Sequence, residues 1–261
     1  MSVRGLTVNM YKAEREKEIL DELKKTGYST VEYLSKKLHI SPSSVRRDLR
    51  IMESKGIVSR SYGGVELADS VNRNVPFSLR THENPREKKK VAQAAATLIK
   101  EGNVLFIDGS STAFFLIEEI VNIKGITVIT NSIEGLYYLS QFGVRVVSTG
   151  GVVSSENNAV LVDSIASSVI ENVRADIAFF STQSVSEKGE IYDCYLSEIP
   201  LRNQMLKNSK IKVFLCDSNK VGKTAAWRMC HIDDVDYIVS DRDISDCFEV
   251  DVPHSKFIIA Q

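Results

Sequence analysis

The sequence predicts an α/β chain with two domains, a small N-terminal α+β domain and a larger domain built on a mostly parallel sheet. Residues 41–50 have the pattern of a helix with one apolar side, and another short helix is predicted just before them. Farther along the chain, short apolar runs alternate with helical stretches, as parallel strands covered on both faces do. A polar stretch containing Pro76 separates the two patterns. The predicted boundaries are therefore 1–67, a linker over 68–83, and 84–261.

Composition and charge place the chain among soluble globular proteins. Its 43% hydrophobic and 26% charged residues are ordinary for a folded domain and exclude a disordered chain. No apolar run approaches the ~18 residues of a membrane span, and the N-terminus lacks the features of a signal peptide. We therefore expect a cytoplasmic protein with no membrane partner. Residues 1–67 hold 13 Lys and Arg against 9 Asp and Glu, a mild basic excess that suits a nucleic-acid partner.

The helix predicted from residue 41 has a clear start and one packing side. Ser41 suits an N-cap and Pro42 suits the first helical position, where no amide donor is missed. Val45, Leu49 and Met52 recur at positions i, i+4 and i+7 and form a narrow apolar stripe. We expect this stripe to pack against the rest of the small domain.

The other side of this helix carries short hydroxyls and guanidinium groups. Such groups bind phosphate oxygens and guanine edges. An ordinary solvated helix with three arginines is the alternative interpretation of these residues alone. The candidate DNA contacts are Ser41, Ser43, Ser44, Arg46, Arg47 and Arg50.

The flanking residues favour the DNA-binding interpretation. A helix is predicted over 13–26, ending at Gly27, and a shorter one over 31–38 behind the caps Ser29 and Thr30. His39 and Ile40 then turn into the Ser41 cap, and two short helices joined by such a turn are typical of a helix-turn-helix.

A small hairpin is predicted after the second helix of this motif. Residues 57–65 alternate loosely around a Gly63-Gly64 turn and resemble a wing. Arg60 and Tyr62 are candidates to contact a phosphate or a minor groove. A hairpin that only covers the helix pair is the alternative.

The larger domain is predicted to begin with a helix capped by Asn84 and Pro85 that runs to about Lys100, with a run of lysines, 88–90, facing outward. Residues 152–162 predict an added strand or hairpin. Six short apolar runs predict buried strands of a Rossmann-like sheet, at 104–107, 126–129, 144–147, 177–180, 211–215 and 237–239.

Polar residues follow several of these strands, where ligands bind in open parallel sheets. A serine-rich helix start after residue 107 suits an anion such as phosphate. Paired glycines after the third strand let a ligand approach the backbone, and Lys220 offers a mobile cation. For each residue alone a plain cap or turn is the alternative. The candidates from spacing are Asp108, Ser110, Ser111, Thr112, Asn131, Gly150, Gly151, Asp217 and Lys220.

Other kinds of site have no support in the sequence. Neither the G-x-G-x-x-G nor the G-x-x-x-x-G-K-[ST] fingerprint occurs, and the adjacent Cys230 and His231 lack the spacing of a zinc site. No arrangement of Ser or Cys with His and Asp indicates a nucleophile. We expect no metal and no cofactor.

The N-terminal domain, residues 1–67, is called the head below. It resembles the winged helix-turn-helix of the DeoR family of transcriptional regulators. The resemblance rests on Arg15-x-x-x-Ile-Leu, on Ser41-x-x-x-Val-Arg-Arg-Asp-Leu and on the glycines at 56, 63 and 64. Chains of that family often begin with Met and a polar pair shortly before this arginine, so Met10 is an alternative start.

The remainder of the chain resembles the effector domain of the same family, whose fold is related to sugar-phosphate isomerases. The matching positions are Asp108 with Ser110, Ser111 and Thr112, then Thr130-Asn131-Ser132, Gly150-Gly151, Glu198 and Asp217 to Lys220 with Gly222. The resemblance implies a phosphorylated sugar as effector. Glu198 falls near where the related isomerases keep a carboxylate that moves a proton.

Three segments of the chain depart from the family pattern. The glycine of the usual Asp-Ser-Gly-Thr-Thr run here precedes the serines, Asp163 replaces a common glycine, and Ser181 and Ser184 stand where glycines are usual. These side chains narrow the expected cavity, and a carboxylate at Asp163 would repel phosphate if it faced inward. An unusual effector and a non-functional cavity are both open.

Taken together, the sequence predicts a transcriptional repressor of a carbohydrate-metabolism operon, relieved by a phosphorylated sugar, and not an enzyme. The expected partners are double-stranded operator DNA and a second copy of the chain, as a homodimer or homotetramer, because two heads match paired half-sites. The alternatives are a sugar-phosphate isomerase with an accessory DNA-binding head and a DNA-binding regulator whose effector domain binds no ligand.

Overall fold

The chain divides into two compact units, Met1–Leu79 and Arg80–Gln261. The structure, a computed structural model, describes residues 12–26, 28–54, 57–61, 64–67 and 77–260. The predictions for Met10, Gly56, Tyr62 and Gly63 lie outside these residues. The interval expected to be a polar linker contains a short helix at its end, and there Phe77 and Leu79 are buried.

The smaller unit is a winged helix-turn-helix, as predicted. Its three strands form one antiparallel sheet, in which the second and third strands are the wing hairpin. The predicted stripe of Val45, Leu49 and Met52 is fully buried in the core of this unit. The elements are α1 (Lys12–Thr26), β1 (Tyr28–Thr30), α2 (Val31–Leu38), α3 (Pro42–Ser54), β2 (Val58–Ser61) and β3 (Gly64–Leu67).

Local chemistry fixes the turn between α2 and α3. The Thr30 hydroxyl accepts a hydrogen bond from the Tyr33 amide at 3.1 Å and starts α2. His39 ends α2 in the left-handed region, with φ of 53°, and three residues later α3 has begun. The two helices are therefore joined by the short turn that the sequence predicts.

The larger unit is an α/β domain with one seven-stranded sheet. Its first elements are α4 (Phe77–Arg80, which spans the division), α5 (Pro85–Ala96), β4 (Val104–Ile107), α6 (Ser111–Glu119), β5 (Thr127–Thr130), α7 (Ile133–Gln141) and β6 (Arg145–Ser148). The following ones are β7 (Val152–Val153), β8 (Leu161–Val162), α8 (Ser164–Glu171), β9 (Ala175–Phe180), β10 (Ser184–Val185) and β11 (Glu190–Asp193). The last are α9 (Ile199–Lys207), β12 (Ser209–Leu215), β13 (Trp227–His231), β14 (Tyr237–Ser240) and β15 (Phe257–Ile259).

All pairings in the large sheet are parallel, in the order β15-β14-β12-β9-β4-β5-β6. Successive strand residues enter opposite cores, since Phe106 lies in one apolar cluster and its neighbours Leu105 and Ile107 in the other. Both faces of the sheet are thus buried, which explains the continuous apolar runs in the sequence.

Two smaller elements complete this unit. Strands β10, β11 and β13 form an antiparallel sheet, and β7 and β8 form the hairpin expected over 152–162. Asn84 was expected to cap α5 with its side chain, but it lies in the left-handed region and makes no such bond. Among the described residues, no helix is long and apolar enough to cross a membrane.

Candidate functional site

The exposed side of α3 carries the side chains predicted to contact DNA. Ser41, Ser43, Arg46, Arg47 and Arg50 are exposed, while Ser44 is half-buried. The Ser41 hydroxyl accepts a hydrogen bond from the Ser44 amide at 3.2 Å and lies 2.8 Å from the Ser43 hydroxyl. Ser41 therefore has a structural role as N-cap, and Ser43 presents its hydroxyl at the start of the helix.

The arginines of the head differ in how they are held. Arg46 lies 3.8 Å from Glu32, and Arg60 of the wing donates to the Glu53 carboxylate at 2.7 Å. Within the described residues, Arg47 and Arg50 have no ion-pair partner. These two are the most available to an external anion, whereas Arg60 must first leave Glu53.

A buried ion pair supports this surface from behind. Arg15 of α1 donates to both carboxylate oxygens of Asp48 on α3, at 2.8 and 3.3 Å, and Asp48 is 1% exposed. The carboxylate raises the pKa of Arg15, so the guanidinium stays charged. Arg15 and Asp48, both part of the family pattern, thus join α1 to α3, a role that spacing alone did not reveal.

A cavity of about 150 Å³ opens at the carboxyl ends of the parallel strands in the α/β unit. Four of the predicted effector contacts line it, namely Ser110, Ser111, Asp217 and Lys220. Five basic side chains line it against three acidic ones, which favours an anion. Its full lining is Arg80, Glu83, Asn84, Lys88, Ser110, Ser111, Ser181, Thr182, Gln183, Asp193, Tyr195, Arg202, Asp217, Asn219, Lys220 and Lys223.

The start of α6 forms one wall of the cavity. The Ser110 hydroxyl donates to Asp108 at 2.6 Å and accepts from the Ala113 amide at 3.2 Å. Ser111 follows as the first helical residue and is buried. The amides of this first turn have no partner inside the helix, so they suit a phosphate group.

Asp108 and Glu198 were predicted to contact the effector, but the structure places both outside the cavity lining. Each is 1% exposed and accepts from the buried Arg202 guanidinium, at 2.7 and 2.5 Å respectively. Arg202 also donates to Asp193 at 2.8 Å, and the Asn157 amide donates to Glu198 at 2.7 Å. These carboxylates hold Arg202 in the cavity wall.

Burial governs the protonation of this cluster. Removal from water raises the pKa of Glu198 above its ordinary value, although Arg202 acts in the opposite direction. Burial alone would lower the pKa of Arg202, but Asp193, Glu198 and Asp108 together raise it well above normal. The guanidinium is therefore permanently charged and surrounded by more carboxylates than it can neutralise.

Lys220 reaches the same cavity from the turn after β12. Its ammonium donates to the Ser181 hydroxyl at 2.5 Å, to the Thr182 carbonyl oxygen at 2.8 Å and to the Thr112 hydroxyl at 3.3 Å. Asp217 lies 3.7 Å away. Thr112, a predicted effector contact, thus touches Lys220 instead of lining the cavity.

Lys88 is a residue of the cavity lining that the sequence analysis missed. It was expected to face outward with Lys89 and Lys90, yet it is 4% exposed and lines the cavity. Its ammonium donates to the Arg80 carbonyl oxygen. Burial, reinforced by the nearby Lys220 charge, lowers the pKa of Lys88 to about 7. The missed signal was its spacing of three and four residues from the buried Val91 and Ala92.

Two further features of the lining were not predicted. The Arg80 guanidinium lies over the Tyr195 ring, 5.1 Å from its centre. The Oδ1 atom of Asp217 is buried and accepts no hydrogen bond from the described residues. A buried carboxylate oxygen in that state is costly, and a ligand hydroxyl would satisfy it.

Asn131, Gly150 and Gly151 were predicted as effector contacts, and the structure gives them other partners. Asn131 exchanges hydrogen bonds with Leu161 of the hairpin, at 3.1 and 2.9 Å. Gly151 has φ of 106°, and a Cβ there would meet the Val162 carbonyl oxygen at 2.2 Å. The Gly150 amide donates to the Ser148 hydroxyl at 3.0 Å. Asn131 and Gly151 contact the hairpin, and none of the three residues lines the cavity.

The departures from the family pattern fall in different surroundings. Asp163 is exposed and caps α8 by accepting from the Ser164 amide, so its carboxylate does not narrow the cavity. Ser181 does line the cavity, fully buried. Ser184 is buried outside it, and its hydroxyl has no hydrogen-bond partner among the described residues.

Comparisons with known proteins cover both units. The model of the DeoR-like helix-turn-helix domain matches residues 15–71, and that of the DeoR C terminal sensor domain matches residues 83–242. The HTH-type transcriptional regulator GolR of Listeria innocua serovar 6a is 30% identical, over 90% of this chain and 93% of that protein. The L-fucose operon activator of Escherichia coli (strain K12) is 28% identical, over 88% of this chain and 95% of that protein.

Among solved structures, ribose 5-phosphate isomerase A of Methanocaldococcus jannaschii is similar over 53% of this chain and 55% of that chain. Its sequence identity is 22% and its TM-score 0.41.

Proposed function

The chain belongs to the DeoR family of DNA-binding transcriptional regulators, and from this premise we propose that it represses a carbohydrate-metabolism operon until a phosphorylated sugar fills the cavity. The direction of regulation is open to direct test, because one relative is named an operon activator. We further propose that it acts as a homodimer or homotetramer, since two recognition helices on paired half-sites raise both affinity and spacing selectivity.

One observation supports the effector proposal: a single cavity is lined both by ammonium groups and by a carboxylate oxygen that has no hydrogen-bond donor among the described residues. Lys88 and Lys220 bring two ammonium groups to the lining, and Ser111 opens a helix there. A phosphate group suits both features. The buried Oδ1 atom of Asp217 accepts no bond from the described residues, so it suits a ligand hydroxyl. A phosphorylated sugar carries both groups.

The DNA-binding proposal rests on the exposed side of α3. Arg47 and Arg50 extend from it without ion-pair partners among the described residues, and Ser43 lies at its start. A helix of this kind docks its N-terminal half against base edges in the major groove. We propose that Arg47 contacts a base and that the serines contact phosphates.

An isomerase activity is not part of this proposal. The carboxylate that resembles the proton-transfer group of the isomerases, Glu198, bonds to Arg202 and Asn157 and lies outside the cavity lining. A general base must reach the proton that it removes. Turnover of an aldose phosphate by the purified protein would contradict this part of the proposal.

Fluorescence anisotropy of a labelled duplex from upstream of the protein's own gene tests the whole proposal. We expect binding at fixed salt that one member of a panel of sugar phosphates reverses. Arg47→Ala should weaken binding by about 1–3 kcal/mol if Arg47 contacts a base edge. Lys220→Ala should leave DNA affinity unchanged and weaken release, so that a higher concentration of the sugar phosphate is needed. Binding that no compound disturbs would contradict the effector proposal and leave the DNA-binding head intact.

A further inference from the structure

Two of the three lysines that line the cavity, Lys88 and Lys220, differ in how many of their N–H donors are in use. An ammonium has three N–H donors. Those of Lys220 are taken by three protein oxygens, on Ser181, Thr182 and Thr112. Lys88 donates to one acceptor among the described residues, the Arg80 carbonyl oxygen. An anion can therefore bind Lys88 directly, but it must displace a protein oxygen to bind Lys220.

Ser181 is the partner that fixes Lys220 most firmly. Its hydroxyl donates to the Leu215 carbonyl oxygen at 2.5 Å, so its proton is committed and its lone pairs face the Lys220 ammonium. Its backbone amide donates to Asp108 at 3.4 Å, and the residue is fully buried. This hydroxyl cannot turn away to make room for a ligand.

We propose that Ser181 is a positioning residue that sets the anion affinity of the cavity, because it holds Lys220 against the protein and away from the ligand. The inference rests on the proposed function, since it takes the cavity to be an anion site. In this arrangement the anion is bound chiefly by Lys88 and the start of α6, and Lys220 contributes only part of its strength. Removal of the Ser181 hydroxyl frees one N–H donor of Lys220 for the anion.

The test is calorimetric titration of the full chain with inorganic phosphate, at fixed pH and ionic strength. We expect Ser181→Ala to bind phosphate about tenfold more tightly than the wild type, the order expected for one gained hydrogen bond to a charged group. Ser181→Gly should give a similar gain. Ser184→Ala is the matched control, because it removes a buried hydroxyl that lies outside the cavity and has no partner in the described residues. It should leave the affinity unchanged.

The double variant Ser181→Ala with Lys220→Ala decides whether the gain passes through Lys220. We expect it to bind phosphate no more tightly than Lys220→Ala alone. A gain that persists without Lys220, or an affinity of Ser181→Ala equal to or below that of the wild type, overturns the inference and leaves the anion site in place. Absence of phosphate binding in every variant overturns both the inference and the effector proposal. Circular dichroism of each variant confirms that the fold is kept.

Discussion

The proposed DNA-contacting surface of the head and the cavity of the α/β unit arrange their polar side chains in opposite ways. On the head, exposed side chains project from the single regular helix α3, and Arg47 and Arg50 have no ion-pair partner among the described residues. In the cavity, buried side chains from several elements bond to one another before any ligand arrives. Substitutions should therefore act singly on the first surface and through shared partners on the second.

The largest expected effect is at Arg202, the centre of the cavity's buried network. Arg202→Met leaves the buried carboxylates of Asp108, Asp193 and Glu198 without their shared cation. We expect it to lower the free energy of unfolding by about 3–5 kcal/mol. The single tryptophan, Trp227, lies in this unit and reports its urea unfolding by fluorescence.

Arg228→Met is the control for that prediction. Arg228 is 57% exposed and pairs with Glu190 at 3.5 Å, so its removal should cost less than about 1 kcal/mol. Equal losses in the two variants would mean that the three carboxylates find other partners when Arg202 is gone.

The next largest effect is at the Arg15–Asp48 ion pair, which supports α3 of the head. Asp48→Asn removes the charge that faces Arg15 and should destabilise the head by about 2 kcal/mol. Helical circular dichroism should then show unfolding of the head at lower urea, while the Trp227 fluorescence transition stays where it is. Glu53→Gln, at an ion pair whose side chains are both 37% exposed, should leave both signals nearly unchanged. A shift of the Trp227 fluorescence transition by Asp48→Asn would contradict the prediction that its effect is confined to the head.

The contrast between one exposed helix and a cavity built from several elements also explains which contacts the sequence could predict. A stripe at helical spacing identifies one side of α3, and the remaining residues of that helix are its exposed side, so the DNA contacts could be proposed one by one. The strand ends could also be located, because apolar runs end where the polar residues begin. The sheet edge that they define is longer than the cavity, however. Asn131, Gly150 and Gly151 lie on that edge outside the cavity, and Asn131 and Gly151 contact the hairpin.

The network around Arg202 and the burial of Lys88 could not be predicted in the same way, because they depend mainly on contacts between segments that are distant in the sequence. Glu198 stands four residues before Arg202, a spacing at which helical side chains meet, but nothing in the sequence indicates that the other two carboxylate partners come from positions 108 and 193. Lys88 looked like part of a solvated run because charged residues usually lie on the outer side of a helix. Its spacing from Val91 and Ala92 is the one sequence signal for its burial, and that spacing does not show that the covered position faces a cavity.

Lys88 gives the third prediction, a pH dependence that the exposed arginines of the head should lack. Below pH 7 Lys88 is charged with or without phosphate bound, so its titration does not change the phosphate affinity there. Above pH 7 the free protein has lost that proton while a bound phosphate dianion favours the charged form. Phosphate affinity should therefore fall as pH rises from 7.5 to 9, by up to about tenfold per unit. Calorimetric titration at each pH measures it.

Lys88→Arg is the matched variant for this dependence. A guanidinium stays charged throughout the range, so its phosphate affinity should be nearly independent of pH between 7.5 and 9. The same decline in the wild type and in Lys88→Arg would assign the titration to another group of the cavity.

The smallest expected effect concerns Asp163, where the α/β unit departs from its family's pattern without touching the cavity. Its φ of 94° and ψ of 175° lie in a region that glycine occupies almost alone, and the conformation costs about 1–3 kcal/mol in other residues. Its side chain recovers part of this by accepting from the Ser164 amide at the start of α8. Backbone strain and helix capping therefore oppose each other at one residue.

Two substitutions at Asp163 separate these contributions. Asp163→Gly removes the strain, and we expect it to raise the free energy of unfolding by about 1 kcal/mol after the lost cap and the added freedom of the unfolded chain. Asp163→Ala keeps the strain and loses the cap, so it should lower that free energy by about 1 kcal/mol. Urea unfolding followed by Trp227 fluorescence measures both. Because Asp163 lies outside the cavity, phosphate affinity should be the same in the two variants, and a change there would mean that the hairpin end and the cavity are coupled.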